Sequence, residues 1–269
     1  MKPTWQIAAA MIAAPAVLGA QAWAARVTGA GDGEVRISFA AREGVCGDGR
    51  TFIRDRTRGD NIMMGNFDGS KWRNRPCDDG PVRVALTVRS GAVRSARVYV
   101  GGDWPAGSAE TTDLGRLGVR DATAGLLALA RTSETRSGGD LIFPATIADS
   151  VEIWPALLTL TRNRSAPQEA RKQAVFWVSQ AAGDKAAEGL SGLVEDDGED
   201  REVREQAVFA LSQLPKDQGV PILLRVAKSN RDREIRRKAM FWLGQSEDPR
   251  ALALFEEILT NRAANRRPR

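Results

Sequence analysis

Three segments of this sequence are near copies of one another, and they begin 33 and then 32 residues apart. They read RKQAVFWVSQ at residues 171–180, REQAVFALSQ at 204–213 and RRKAMFWLGQ at 236–245. Within each copy the apolar residues recur with the spacing of one helix face. A fixed period of this size is typical of stacked helical repeats, because each unit can bury its apolar face only against a neighbour. The repetition therefore predicts an α-solenoid in the second half of the chain.

Each copy is followed by a short break and then by a second apolar segment, which predicts pairs of helices. The breaks fall at residues 183–184, 215–216 and 248–249. The second helices are predicted at about residues 185–194, 218–227 and 250–259. Residues 142–162 resemble a degenerate earlier pair, and a helix at 121–131 is expected to cap the stack. We expect about four helix pairs.

These units resemble the short HEAT-like repeats of bacteria, of the kind named after PBS lyases. The resemblance rests on the pattern Asp-x-x-Val/Ile-Arg-x-x-Ala, which stands at residues 200–207 and again at 232–239. It covers residues 113–261 and implies a right-handed solenoid whose usual role is to bind other proteins. Tetratricopeptide repeats have a similar period, but their Trp-Leu-Gly-Tyr pattern is not matched, because Trp242-Leu243-Gly244 is followed by Gln245.

The segment before the repeats has the period of two that is typical of β-strands. Apolar and polar residues alternate at residues 34–40, 82–89 and 92–100, and Ser90-Gly91 between the last two runs predicts a hairpin. We therefore expect a small β domain at residues 25–102, a linker at 103–112 and the solenoid at 113–261. The predicted fold class is α+β with two domains: a small disulfide-bearing β domain followed by an all-α HEAT-like solenoid.

Two cysteines, Cys46 and Cys77, lie in this β segment and are the only ones in the chain. In an oxidising compartment they would form a disulfide. Two free thiols are the alternative. A zinc site is disfavoured, because two cysteines without any histidine provide too few ligands.

The N-terminal residues have the features of a secretory leader. Lys2 precedes an apolar run at residues 7–20, which is too short for the roughly 20 residues that span a bilayer. Ala22-Trp23-Ala24 then fits the A-x-A cleavage pattern. We predict a leader at residues 1–24, cut after Ala24, and a periplasmic or secreted protein without a transmembrane segment in its mature chain. A buried N-terminal helix is the alternative interpretation.

The net charge of +5 does not predict a nucleic-acid partner. Residues 26–151 hold 18 basic and 16 acidic residues, and residues 152–269 hold 20 and 18, so both signs are mixed throughout. A nucleic-acid binder would instead cluster its cations on one face. Residues 262–269 are expected to form a basic flexible tail.

The complete absence of histidine excludes most nucleophilic and metal-dependent catalysis. No phosphate-binding, dinucleotide-binding or serine-hydrolase motif is present, and the acidic stretch at residues 195–200 lacks the spacing of a calcium loop. We predict a non-enzymatic scaffold or adaptor, without a cofactor, whose solenoid binds another envelope protein. The weak candidates for partner contact are outward residues of the second helices: Arg225, Lys228, Glu256 and Glu257.

Two alternatives belong to other functional classes. One is an enzyme with a carboxylate-based site in the β domain, for which the candidates are Asp48, Asp55, Asp60 and Asp68. The other is a lyase-like chromophore binder, which the resemblance to PBS-lyase repeats suggests.

Overall fold

The computed structural model describes residues 15–50, 52–57, 77–133, 137–181 and 183–265. The strands within these ranges are β1 (Gly33–Phe39), β2 (Val45–Gly47), β3 (Ile53–Asp55), β4 (Asp78–Asp79), β5 (Val82–Arg89), β6 (Ala92–Val100) and β7 (Thr111–Arg116). The helices are α1 (Pro15–Gly29), α2 (Val119–Ala130), α3 (Ser137–Thr146), α4 (Trp154–Arg162), α5 (Gln168–Ala181), α6 (Gly183–Glu195), α7 (Arg201–Ser212), α8 (Lys216–Ser229), α9 (Arg233–Gln245) and α10 (Pro249–Asn265). The chain is thus an α+β protein, as the sequence predicts.

A four-stranded sheet with the order β6-β5-β1-β7 forms the larger part of the β region. The apolar residues of β1 alternate toward the core, where Val35, Ile37 and Phe39 are buried. Ile37 lies opposite Val84 of the antiparallel strand β5. The predicted hairpin between β5 and β6 is confirmed, because Ser90 and Gly91 both have positive φ, as a two-residue hairpin turn requires.

Strand β7 differs from the sequence-based expectation, which placed a linker at residues 103–112. Thr111 and Thr112 already belong to β7, which runs parallel to β1. Most side chains of β7 are exposed or half-buried. The sequence did not reveal this strand, because backbone pairing at a sheet edge leaves no alternation of apolar residues.

A second, three-stranded sheet has the order β3-β2-β4 and carries the disulfide. Cys46 and Cys77 are joined, with their Cα atoms 5.3 Å apart, which confirms the predicted pairing. Ala41, after the end of β1, forms a bridge with Ala148, which follows α3. The two parts of the chain are therefore connected by backbone pairing as well as by packing.

The helices from α3 onward form two layers. The first helices of the pairs, α3, α5, α7 and α9, pack side by side, and α6, α8 and α10 form a second row. Helix α4 extends this second row, because Leu158 packs against Gly189 of α6. The prediction of about four helix pairs is thus confirmed. Helix α10 continues to Asn265, so residues 262–265, expected in a flexible tail, are helical, and residues 266–269 lie outside the described ranges.

Helix α1 occupies residues that the sequence assigned in part to a leader. It packs on α2 and touches β6. Trp23 is only 3% exposed, and its indole N–H donates a 2.8 Å hydrogen bond to the backbone oxygen of Asp121. Ala24 is buried as well. The predicted cut after Ala24 would therefore remove two residues that the core contains.

One continuous set of buried side chains runs from α1 and the sheet into the last helix pair. Helix α3 links the two regions, since it packs on both β6 and α5. The sheet consequently braces the first end of the solenoid through α3.

The disulfide is expected to contribute substantially to stability, because it closes a loop with a sequence separation of 31 residues. The double substitution Cys46→Ser with Cys77→Ser should lower the free energy of unfolding by about 3 to 4 kcal/mol. Urea denaturation of both proteins measures the difference. Adding a reducing agent to the wild-type protein should reproduce the loss, and equal stability of the oxidised wild type and the variant would contradict the expectation.

Candidate functional site

The second-helix face, formed by α4, α6, α8 and α10, is the surface on which the sequence placed its candidate partner contacts. Arg225 of α8 donates hydrogen bonds to Ser191 Oγ (2.6 Å) and Glu195 Oε1 (2.9 Å) of α6. Lys228 of α8 lies 3.0 Å from Glu257 of α10. Three of the four candidates therefore form half-exposed ion pairs that cross from one helix pair to the next.

A charged groove of about 570 Å³ opens beside these ion pairs. It is lined by Glu195, Asp197, Arg225, Val226, Ser229, Asn230 and Arg231. Glu256, the fourth candidate, is exposed on α10 and does not line this groove. Because two acidic and two basic side chains line the groove, its net charge is close to zero.

An apolar groove of about 470 Å³ lies on α4, in the same row of helices. It is lined by Trp154, Pro155, Leu158, Thr159, Arg162 and Asn163. The ammonium group of Lys185 sits 5.1 Å from the centre of the Trp154 ring. Trp154 was not among the candidates predicted from the sequence, although a tryptophan followed by proline at the start of a second helix was the available signal.

An arginine near the start of each of the first helices α5, α7 and α9 bonds to the end of the preceding second helix, and the first two of these arginines are buried. Arg171 is almost completely buried, and its Nε donates to the backbone oxygen of Thr161 at the end of α4. Its two terminal nitrogens bind the carboxylates of Glu199 and Asp200 in the next inter-repeat loop. The residue thus joins α5 to the end of α4 and to the loop between α6 and α7.

Arg204 and Arg236 repeat this arrangement in the following units. Arg204 Nε donates to the backbone oxygen of Val194 in the last turn of α6, and Arg236 donates to the backbone oxygen of Asn230 after α8. Arg204 also bonds Asn230 Oδ1 at 3.2 Å. We name Arg171, Arg204 and Arg236 the arginine ladder; its spacing is that of the sequence copies.

The acidic stretch at residues 195–200 provides most of the carboxylates for these arginines. Each of its five acidic residues pairs with an arginine: Glu195 with Arg225, Asp196 with Arg164, Asp197 with Arg204 and Arg231, and Glu199 and Asp200 with Arg171. Since the guanidinium groups already balance the acidic charge, the stretch is better described as a salt-bridge hub than as a cation site. Among the described residues, no cluster of His, Cys, Asp or Glu is arranged to hold a metal ion.

Residues 190–268 match the sequence family described as HEAT repeats. This part of the chain is thus similar to HEAT repeats in sequence. The match begins inside α6 and includes α7 to α10, and the two-layer arrangement continues back to α3 in the structure. A search of curated proteins finds no significant match to the chain. Within the described ranges, no helix is both long and apolar enough to cross a bilayer.

The carboxylates proposed for catalysis in the β region are engaged in local structure. Asp48 accepts hydrogen bonds from the backbone N–H groups of Arg50 and Phe52. Asp55 is buried between Thr57 and Arg42, and Arg42 donates to it at 2.5 Å. Asp60 and Asp68 lie outside the described residues.

The environment of Asp55 changes its acidity. Burial by itself raises the pKa of this carboxyl group, but hydrogen bonds from the Thr57 hydroxyl and N–H, together with Arg42, outweigh burial and lower the pKa below its usual value. A carboxylate with a lowered pKa stays ionised at neutral pH. It therefore serves as an acceptor in the fold rather than as a proton donor.

Replacing Arg171 by methionine should be strongly destabilising, because it leaves the buried carboxylate of Glu199 without its partner. We expect a loss of about 3 to 5 kcal/mol in the free energy of unfolding, measured in urea. Arg164→Met is the matched control, since it removes the exposed pair with Asp196 and should lose at most about 1 kcal/mol. Similar losses in the two variants would show that the ladder does not hold the stack.

Replacing Asp55 by asparagine should lower stability by about 1 to 3 kcal/mol at pH 7, because Arg42 loses its charged acceptor. The lowered pKa means that this contribution is fully present above the unfolded value near about 4 and is lost as the pH falls through the folded value. The difference between wild type and variant should therefore shrink below about pH 4. Thermal unfolding between neutral and acidic pH tests this, and a constant difference would contradict it.

Proposed function

We propose that this protein is an exported, non-enzymatic scaffold whose second-helix face binds another protein of the cell envelope. One observation carries the proposal: the row α4, α6, α8 and α10 presents an apolar groove at Trp154 and a charged groove at Arg225. The main contact between the sheet and the helical part, among the described residues, is made by α3, which belongs to the first row of helices.

The chemistry of the two grooves favours a protein partner. Protein interfaces commonly combine a buried aromatic anchor with arginine-containing polar surroundings. Trp154 and Leu158 offer the apolar part, and the mixed charges beside Arg225 suit a partner that carries both signs. A polyanion would instead need an excess of cations on one face.

Export is supported by the disulfide and by the leader-like N-terminal sequence. Disulfides persist in oxidising compartments and are uncommon in the cytosol, and Cys46 is bonded to Cys77. The adaptor would act outside the cytoplasm, where the covalent bond stabilises the sheet next to the solenoid.

The function should depend on the second-helix face and not on the opposite row of helices. We expect Trp154→Ala and the pair Arg225→Glu with Glu257→Lys each to weaken partner binding at least tenfold, since such residues are typical hot spots. The partner is first captured by crosslinking in the native cell envelope, and its affinity for each purified variant is then measured by calorimetry.

Lys238→Glu is the matched control, because Lys238 and Glu205 form a similar half-exposed ion pair between the first helices α9 and α7. It should leave binding unchanged, and none of these variants should change the fold as judged by circular dichroism. Point variants are preferable to a truncation at Gly102, because the sheet and the helices share one core. Unaltered binding by both second-helix variants would refute the proposal.

A further inference from the structure

The second half of α1 carries side chains that belong to the folded core. Among residues 22–29, the buried side chains are Trp23, Ala24 and Val27, whereas Ala22 is exposed. Trp23 and Val27 are four residues apart and therefore lie on the same helix face. That face packs on α2.

Helix α2 contains a slot that fits the indole of Trp23. At Gly125 of α2, an added Cβ would lie 2.4 Å from Trp23 Nε1 and Cε2, so only glycine leaves room for the ring. The indole N–H is satisfied in the slot by the backbone oxygen of Asp121. Trp23 thus has a shape-matched site with a hydrogen-bond acceptor, 98 residues away in sequence.

The sequence offers two overlapping cleavage patterns at this place. Ala20-Gln21-Ala22 and Ala22-Trp23-Ala24 both have small residues at the two positions that leader peptidases require. A cut after Ala24 would discard Trp23 and leave the slot at Gly125 empty. A cut after Ala22 would keep Trp23, Ala24 and Val27, the buried side chains among residues 22–29.

We infer that the leader is removed between Ala22 and Trp23, so that Trp23 is the first residue of the mature protein and closes the slot on α2. The inference rests on the proposed export. Hydrolysis of the Ala22–Trp23 peptide bond consumes one water and leaves a carboxylate on Ala22 and an α-amino group on Trp23. Because Ala22 is exposed, the new charge lies at the surface and the indole beyond it stays in place.

The first experiment is N-terminal sequencing and intact-mass analysis of the protein after expression of the whole chain in a Gram-negative host. A chain that begins at Trp23 in the periplasmic fraction supports the inference. A periplasmic chain that begins at Ala25, or at any other residue, overturns the inference but leaves export intact. An uncut chain confined to the cytoplasm overturns both.

Two matched substitutions separate the overlapping patterns during export. Ala20→Gln changes only the pattern that ends at Ala22 and should block processing. Ala24→Gln changes only the pattern that ends at Ala24 and should leave the rate of processing unchanged. Pulse-chase labelling measures both, and the reverse result would overturn the inference.

Gly125→Ala tests the slot in two versions of the chain, one that begins at Trp23 and one that begins at Ala25. Each version is released from a fusion protein by a protease that leaves no added residues. The substitution should lower the Tm of the Trp23 chain, because the new methyl group overlaps the indole. In the Ala25 chain it should leave the Tm unchanged or raise it, since alanine favours a helix over glycine. Gly192→Ala is the control, because its added Cβ would lie 3.6 Å from the nearest atom, a guanidinium nitrogen of Arg162. It should change the Tm of both chains by the same amount. The same response to Gly125→Ala in both chains would overturn the inference.

Discussion

The arginine ladder of α5, α7 and α9 is the interaction on which the helical half of this protein depends, and its members Arg171 and Arg204 are buried. Arg171 donates a hydrogen bond to the backbone oxygen of Thr161 at the end of α4. It also pairs with the carboxylates of Glu199 and Asp200 in the loop between α6 and α7. A buried charge is tolerated only when its hydrogen bonds are satisfied, so the three segments that meet at Arg171 must keep one arrangement. Arg204 and Arg236 extend this constraint along the stack, and the second-helix face owes its fixed spacing to them.

The sheet and the solenoid are best understood as one packed body. Helix α3 bridges β6 and α5, and Ala41 pairs with Ala148 across the junction. Helix α1 adds a contact from the other end of the sequence, through Trp23 in the slot at Gly125. The disulfide between Cys46 and Cys77 adds a covalent link beside the second sheet. The first end of the solenoid is therefore braced by α3 and the sheet.

Particular residues show why some predictions succeeded and others did not. The hairpin at Ser90-Gly91 and the helix pairs from α5 to α10 depend on neighbours close in sequence, and both were predicted. Strand β7 was missed because its edge pairing with β1 leaves no apolar alternation. Three of the candidate site residues, Arg225, Lys228 and Glu257, lie on the second helices as predicted. Their ion pairs, Arg225 with Glu195 and Lys228 with Glu257, were not evident from the sequence. Trp154 was not selected at all.

The sequence by itself determined the repeat period, the alternation of the strands, the pairing of the two cysteines and the absence of imidazole chemistry. Each of these follows from composition or from spacings within about one repeat. Only the tertiary structure decided what Arg171 binds, that the acidic stretch at residues 195–200 is neutralised by arginines, and that Trp23 belongs to the core. Most of these contacts join groups between 28 and 98 residues apart. Such contacts leave no local pattern, because a buried polar or aromatic group is specified by the shape and hydrogen bonds of distant segments.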